Sequence, residues 1–137
     1  DSNAGRSWSA RGRLYSEALL HGAIQAGCSG EWAPSCIGSH YAVRTSHLKA
    51  IGGLGPELAE DFSTTMLMTS NGYKGAFAVD AEAHGEGPET IADCVTQDFQ
   101  WSRSMMVLGL TIARKALKTA PWPARVRLGF CLAWYPL

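Results

Sequence analysis

The order of helix-like and strand-like segments restricts the fold of this chain more than any other feature. Four segments carry apolar residues at helical spacing: 14–26, 46–51, 61–70 and 90–118. Two segments have the composition of short strands: 36–43 and 73–80. Glycine, asparagine and proline separate them, with Asn71-Gly72 after the third helix and Pro121 after the last. Because helices and strands alternate, the sequence predicts an α/β domain.

The last predicted helix has one apolar face and is followed by an uncharged end. The apolar face consists of Ile91, Val95, Phe99 and Met106. Residues 128–137 carry no charge, whereas a bilayer span needs about 20 apolar residues. We interpret 105–123 as an interfacial amphipathic helix and linker, and 124–137 as the truncated start of a transmembrane helix. A short buried segment is the alternative interpretation of this end.

The charges are separated along the chain, although the formal net charge is zero. Residues 51–100 hold one basic and nine acidic side chains, whereas 101–137 hold six basic and no acidic ones. The lack of an overall basic excess argues against binding to nucleic acid. The basic end favours contact with anionic membrane headgroups. The side chains expected there are Arg114, Lys115, Lys118, Arg125 and Arg127.

Two other groups of residues have side chains that metal or disulfide sites use. The four cysteines show neither a CxxC pair nor metal-ligand spacing, and we predict reduced thiols: Cys28, Cys36, Cys94 and Cys131. His84 lies between Glu82 and Glu86, a pattern that a metal site can use. No second cluster of ligands has a recognisable spacing, so a loop histidine is the favoured interpretation.

Glu60 and Asp61 open the predicted helix 61–70. A carboxylate at this position can cap the helix, because free amide hydrogens and the helix dipole favour negative charge there. It can also act as a general base that takes a proton from an attacking hydroxyl. The spacing of the residues does not distinguish the two roles.

Polar and aromatic side chains also share a face of the long predicted helix. Gln97, Gln100 and Ser104 lie on one side, with Trp101 next to them. Amides that bind hydroxyls and an indole that stacks on a sugar ring together form a plausible carbohydrate surface. The alternative is a tryptophan packed in the core with solvated polar neighbours.

Six segments, in order, match a set of known motifs. They are Gly38–Arg44 (G-S/T-x-x-x-x-R), His47–Gly53 (A-L-x-x-I-G-G, with His47 in place of Ala), Glu60-Asp61 (T/G-E-D, with Ala59 in first position), Asn71–Lys74 (x-G-Y/W-K), Gly87–Thr90 (x-P-E-T) and Gln97–Trp101 (Q-x-x-R-W). Over about residues 32–137 the chain resembles the C-terminal half of a family-2 glycosyltransferase domain. The resemblance is to the processive membrane type, which includes the cellulose, chitin and hyaluronan synthases.

The resemblance implies the C-terminal part of a GT-A type fold and an inverting transfer. An acceptor hydroxyl attacks the anomeric carbon of a nucleotide-sugar, of the UDP-sugar type, while Mg²⁺ or Mn²⁺ stabilises the leaving diphosphate. It implies that Asp61 is the general base, with Glu60 beside it, and that the metal ligands lie mainly upstream. The residues that it assigns to the glycan acceptor are Gly38, Ser39, Gln97, Gln100, Trp101 and Arg103.

One position departs from the family pattern, because Gln100 stands where the motif has arginine. Gln100 cannot neutralise phosphate charge. Arg103, nearly one helical turn further, resembles the W-x-R/K-S variant of hyaluronan and chitooligosaccharide synthases.

The resemblance also divides the chain. Residues 1–31 become an inter-motif helix of the glycosyltransferase domain and 32–104 its acceptor-side half. The donor-binding half is expected upstream, so we expect the chain alone to be inactive. The expected location is a bacterial-type inner or plasma membrane, with the catalytic face in the cytoplasm. The alternative function is a non-catalytic, membrane-associated module that binds carbohydrate or serves as a scaffold.

Overall fold

The computed structural model describes residues 1–134 and shows a mostly helical chain. The helices are α1 (Trp8–Ala18), a π-helical segment (Leu19–Ile24), α2 (Gln25–Gly27), α3 (Thr45–Ala50), α4 (Glu60–Ser70), α5 (Ile91–Leu110), α6 (Ala113–Thr119) and α7 (Trp122–Trp134). The predicted helices at 14–26, 46–51 and 61–70 are therefore confirmed. The first of them begins earlier than predicted, because Ser7 caps it by accepting a hydrogen bond from the Ala10 amide.

The N-terminal ends of α1 and α5 lie side by side. Thr90 and Asp93 form a reciprocal capping box at the start of α5. The Ser7 hydroxyl at the start of α1 donates to the Glu89 carbonyl at 3.0 Å. The Asn3 side chain donates to the Gly87 carbonyl and accepts from the Gly87 amide. These bonds align α1 with α5 at their N-terminal ends.

The strands predicted at 36–43 and 73–80 are wrong for this structure, in which residues 1–134 contain a single isolated antiparallel bridge, between Gly30 and Gly75. The backbone donors of the first segment bind side chains of α4 instead. The Cys36 amide donates to Thr65 Oγ1 at 2.7 Å, and the Gly38 amide donates to Asp61 Oδ2 at 3.0 Å. Because a strand needs a neighbouring backbone to accept its donors, no ladder forms here. The α/β class is therefore not confirmed.

The single helix predicted over 90–118 is also wrong, because it breaks after Leu110. Thr111 has φ −106° and ψ −83°, outside the helical region. Its hydroxyl donates to the Val107 carbonyl at 2.7 Å, a local bond that competes with the helix. The break allows α6 to turn and place Ala113 and Ala116 in the core.

The core lies where α4, α5, α6 and α7 meet. Its large buried apolar residues are Phe62, Met66, Met105, Leu108 and Leu128. The apolar face of α5 identified in the sequence does not join it, since Ile91, Val95, Phe99 and Met106 are each more than 60 % exposed. Helix α5 buries Ser104, Met105 and Leu108 instead.

Helix α7 packs against the core with Arg127, one of its two arginines, on the inside. Arg127 is only 4 % exposed, so the expectation that it meets membrane headgroups is wrong in this structure. Within residues 1–134, no helix combines the length and the apolar character that crossing a bilayer requires. The end of the predicted 124–137 segment, beyond Trp134, lies outside the described residues.

Candidate functional site

Asp61 lies in the first turn of α4, two residues after the N-cap Ala59. Its Oδ1 atom accepts a hydrogen bond from the Phe62 amide at 2.6 Å, which satisfies one of the free donors of the first turn. Its Oδ2 atom accepts from the Gly38 amide at 3.0 Å. The carboxylate therefore stabilises the helix start, as the capping interpretation requires, and it is also held by a loop 23 residues away.

Gly38 is the residue that allows this contact. A Cβ atom at position 38 would lie 3.2 Å from Asp61 Oδ2, closer than an ordinary van der Waals contact. The structure thus brings together two of the predicted site residues, Gly38 and Asp61. Ser39 follows on the exposed side of the loop, where its hydroxyl lies 2.6 Å from His40 Nδ1.

The environment of Asp61 favours its protonated form. Burial is the largest influence and raises the pKa of Asp61, and the nearby charge of Glu60 raises it further. The amides of Phe62 and Gly38 and the charge of His21 lower it, but they do not cancel the effect of burial. A raised pKa makes the carboxylate a stronger base, which general-base catalysis requires.

Asp61 lines a cavity of about 50 Å³ between α4, α5, α7 and the π-helical segment. The other polar side chains that line it are His21, Gln25, Ser35, Cys36 and Arg127. Gln25 is buried and holds the loop, because its side chain both accepts from the Ser35 amide and donates to the Ser35 carbonyl. Met105 and Trp134 are among the apolar residues of the wall.

Arg127 enters this cavity with part of its hydrogen-bonding capacity unused. Its Nη2 atom makes long contacts with Gln25 Oε1 at 3.4 Å and Ser35 Oγ at 3.5 Å. Its Nε and Nη1 atoms are buried and have no hydrogen-bond partner in the part of the chain that the structure describes. The sequence analysis missed this residue because nothing local separates a buried arginine from an exposed one.

The predicted acceptor residues of α5 form a second region. Gln97 and Arg103 are exposed, whereas Gln100 and Trp101 are half-buried. None of these four side chains lines the Asp61 cavity, to which α5 contributes Met105. The structure thus does not bring the polar face of α5 into the cavity with Asp61.

Arg13 of α1 connects the polar face of α5 to the Asp61 cavity. Its guanidinium lies over the Trp101 ring, 4.8 Å from the ring centroid, and its Nη1 atom lies 2.8 Å from Asp98 Oδ1. Arg13 also pairs with Glu17, whose Oε2 atom lies 2.5 Å from His21 Nε2. Arg13, Glu17 and His21 are spaced by four residues, a signal that the sequence shows and that the sequence analysis did not use.

The described residues do not provide a metal site. No group of three or more His, Cys, Asp or Glu side chains close enough to hold a metal ion occurs within 1–134. His84 Nε2 lies 3.6 Å from Glu82 Oε2, and both side chains are exposed to solvent. The four cysteines are free thiols, which confirms their predicted state.

Comparisons with known proteins agree with the motif pattern. The family model described as glycosyl transferase family group 2 matches residues 1–137. The chain is 28 % identical over 103 residues to the cellulose synthase catalytic subunit (UDP-forming) of Xanthomonas axonopodis pv. citri. That match covers 73 % of this chain but only 14 % of the relative, so the chain spans about one seventh of the relative's length. No solved structure matches the chain significantly.

Proposed function

The chain belongs to glycosyl transferase family group 2, and on that premise we propose that it forms the acceptor-side part of a membrane polysaccharide synthase. The reaction is an inverting transfer from a nucleotide-sugar, of the UDP-sugar type, to a growing glycan. Sugar transfer in general follows from the family, and the similarity to a UDP-forming cellulose synthase subunit supports the choice of donor. Asp61 is the general base of this transfer.

The arrangement of Asp61 is the observation that carries the proposal. Two backbone amides, those of Phe62 and Gly38, orient its carboxylate, and burial raises its pKa. In the reaction, the acceptor hydroxyl gives its proton to Asp61 as its oxygen bonds to the anomeric carbon. The bond between that carbon and the diphosphate oxygen breaks in the same step, so the configuration inverts. Glu60 keeps the region acidic and raises the basicity of Asp61.

The acceptor chain is proposed to lie along α5 and the loop at 38–39. Trp101 is held from one side by Arg13, which gives its indole a defined orientation for contact with a sugar ring. On the same helix, the amides of Gln97 and Gln100 and the guanidinium of Arg103 supply hydrogen bonds to the hydroxyls of the acceptor sugar. Gly38 and Ser39 place backbone next to the base. This part of the proposal rests on the motif match and on the position of α5.

The donor and its metal are proposed to bind outside residues 1–134. The side chains present do not fit a Mg²⁺ or Mn²⁺ site, because no cluster of three ligands occurs among them. The chain also spans only 14 % of the relative that it matches. We therefore expect the 137-residue chain alone to show no transfer from UDP-sugars in the presence of Mn²⁺.

A location at the cytoplasmic face of a bacterial inner membrane completes the proposal. Arg114, Lys115 and Lys118 are exposed on α6 and are free to meet anionic headgroups. Arg127 is excluded from this role by its burial.

The central test is Asp61→Asn in the membrane protein that contains this chain, assayed with radiolabelled UDP-sugars. We expect kcat to fall by about 100- to 10,000-fold, the usual range for loss of a general base. The matched control is Asp80→Asn, an exposed aspartate outside the site, which leaves kcat unchanged. Transfer that survives Asp61→Asn contradicts the base assignment. Oligosaccharide binding without transfer from any UDP-sugar by the wild type favours the carbohydrate-binding module instead.

A further inference from the structure

A groove of about 500 Å³ lies where the N-terminal ends of α1 and α5 meet. Its volume is within the usual range for small-molecule sites, about 300–1,000 Å³. The side chains that offer contacts in it are Arg6, Trp8, Ser9, Glu89 and Ile91. Helix α5 contributes Ile91 to this groove and Met105 to the Asp61 cavity. These two residues lie about 21 Å apart along the helix axis, so the groove and the cavity are separate sites.

Hydrogen bonds between distant parts of the chain fix the walls of the groove. The buried Asn3 side chain binds both the carbonyl and the amide of Gly87, at 3.0 and 2.9 Å. The Ser7 hydroxyl lies 3.2 Å from the Pro88 carbonyl oxygen and 3.0 Å from that of Glu89. A ligand therefore meets a preformed surface, and its binding does not include the cost of ordering these segments.

Polar groups at the start of α1 lack partners within residues 1–134. The amides of Trp8 and Ser9 lie in the first turn, whose donors find no acceptor inside the helix. The Ser9 side chain lines the groove, is only 9 % exposed and makes no hydrogen bond in this part of the chain. Its oxygen remains accessible, in contrast to the enclosed nitrogens of Arg127. A polar ligand in the groove supplies the hydrogen bonds that these groups lack.

Charges of both signs flank these groups and indicate a neutral ligand. Arg6 and Glu89 are both exposed, so the groove offers a cationic donor and a carboxylate acceptor. A phosphate would bind the free amides and Arg6, but Glu89 would repel it. A molecule with several hydroxyls uses both side chains, because each hydroxyl donates one hydrogen bond and accepts others.

Trp8 gives the groove an apolar surface. Its side chain is 75 % exposed, although tryptophan is highly buried on average. Ile91, which is 61 % exposed, adds a second apolar contact. A sugar ring has C–H groups on its faces and hydroxyls at its edge. It can therefore stack on an indole while its hydroxyls reach the polar groups around the ring.

We propose that this groove binds a neutral saccharide unit of the glycan on which the enzyme acts. The Trp8 indole stacks on a sugar ring, and the Glu89 carboxylate accepts hydrogen bonds from its hydroxyls. Arg6 and the amides of Trp8 and Ser9 donate to the hydroxyl oxygens. The inference rests on the proposed function for the kind of glycan, but it does not depend on the role of Asp61. The groove holds the glycan away from the transfer step.

The first experiment titrates the ¹⁵N-labelled 137-residue chain with cellohexaose, a probe chosen for the similarity to a UDP-forming cellulose synthase subunit. We expect the Trp8 indole resonance to shift, and Kd to rise at least about 10-fold in Trp8→Ala. The matched control is Tyr15→Ala, which removes a 72 % exposed aromatic ring of α1 outside the groove and leaves Kd unchanged. A wild type that does not bind, or equal Kd values for the wild type and Trp8→Ala, overturns the proposal.

The second experiment uses Glu89→Gln to distinguish a saccharide from an anion. We expect cellohexaose to bind about 3- to 10-fold more weakly to this variant, because hydrogen bonds to a carboxylate are stronger than those to an amide. Inorganic phosphate is the competing probe, and removal of the Glu89 charge should favour it. Phosphate that binds more tightly to Glu89→Gln, together with cellohexaose that leaves the Trp8 resonance in place, identifies an anion site and overturns the proposal.

A third measurement separates this inference from the role of Asp61. Asp61→Asn should leave the Kd of the 137-residue chain for cellohexaose unchanged. In the membrane protein that contains this chain, Trp8→Ala should raise the KM for added cellohexaose about 10-fold. An unchanged KM in Trp8→Ala, beside an inactive Asp61→Asn, overturns the groove and leaves the proposed function standing. Transfer that survives Asp61→Asn, beside weakened binding in Trp8→Ala, supports the groove and contradicts only the base.

Discussion

Gly38 and Asp61 lie so close together that a methyl group does not fit between them without a shift. A Cβ at position 38 would be 3.2 Å from Asp61 Oδ2. We predict that Gly38→Ala displaces the carboxylate and lowers kcat by about 10-fold, because small displacements of reacting groups are costly in enzymes. The measurement is kcat in the membrane protein together with the urea unfolding of the chain.

The matched control for this substitution is Gly109→Ala in α5, where an added Cβ meets no atom within 4 Å. It should leave kcat unchanged and stabilise the helix by about 0.5–1 kcal/mol. Equal kcat values for the wild type and Gly38→Ala would show that the contact between the loop and the carboxylate does not matter for transfer.

The pKa of Asp61 also predicts how stability depends on pH. Burial raises the pKa of Asp61 in the folded chain, so the unfolded chain releases this proton at lower pH. Asp61 therefore costs folding free energy increasingly as the pH rises from about 3.9, its usual unfolded value, to the raised folded value. Asp61→Asn removes that cost. Urea unfolding should show the variant gaining stability relative to the wild type as the pH rises from about 3.9 towards the raised folded pKa. If the variant instead loses stability relative to the wild type as the pH rises, the pKa of Asp61 is not raised in the folded chain.

Arg13 of α1 is a buried cation that contacts α5, since it pairs with Asp98 and covers the Trp101 ring. Its side chain is 8 % exposed, whereas Asp98 is 48 % exposed, so the loss of the pair is smaller than for two buried ions. We predict that Arg13→Met lowers the free energy of unfolding by about 2 kcal/mol. It should also change the tryptophan fluorescence, because Trp101 loses its neighbour.

Arg114→Met on α6 is the control for that substitution, because Arg114 is exposed. Its effect should stay within about 0.5 kcal/mol. Equal unfolding free energies for Arg13→Met and Arg114→Met would mean that the ion pair does not hold α1 to α5.

Across the whole molecule, the exposed apolar face of α5 is the feature that most affects behaviour in solution. Ile91, Val95, Phe99 and Met106 lie on the surface rather than in the core. Exposed apolar area of this kind promotes dye binding and association. We predict that Val95→Ser with Phe99→Ser lowers binding of the dye ANS and raises the solubility of the chain. The unfolding free energy should change by less than about 1 kcal/mol, and a larger loss would place this face in the core.

The helices show what local sequence is able to predict. Helix α4 begins within one residue of its predicted start and ends at Ser70, because its acidic first turn and the Asn71-Gly72 pair are local signals. The strand at 36–43 was mispredicted because its backbone donors bind Thr65 and Asp61, which lie more than 20 residues away. Periodicity carries no information about such partners.

By itself, the sequence determined the family and the positions of most helices, because ordered motifs, caps and apolar spacing are properties of consecutive residues. Only the tertiary structure decided that Asp61 is held by Gly38, that Arg127 is buried and that His21 and Asp61 line the same cavity. These depend on contacts between segments far apart in the chain. Burial and long-range hydrogen bonds, which shift the pKa of Asp61, exist only after those segments have packed together.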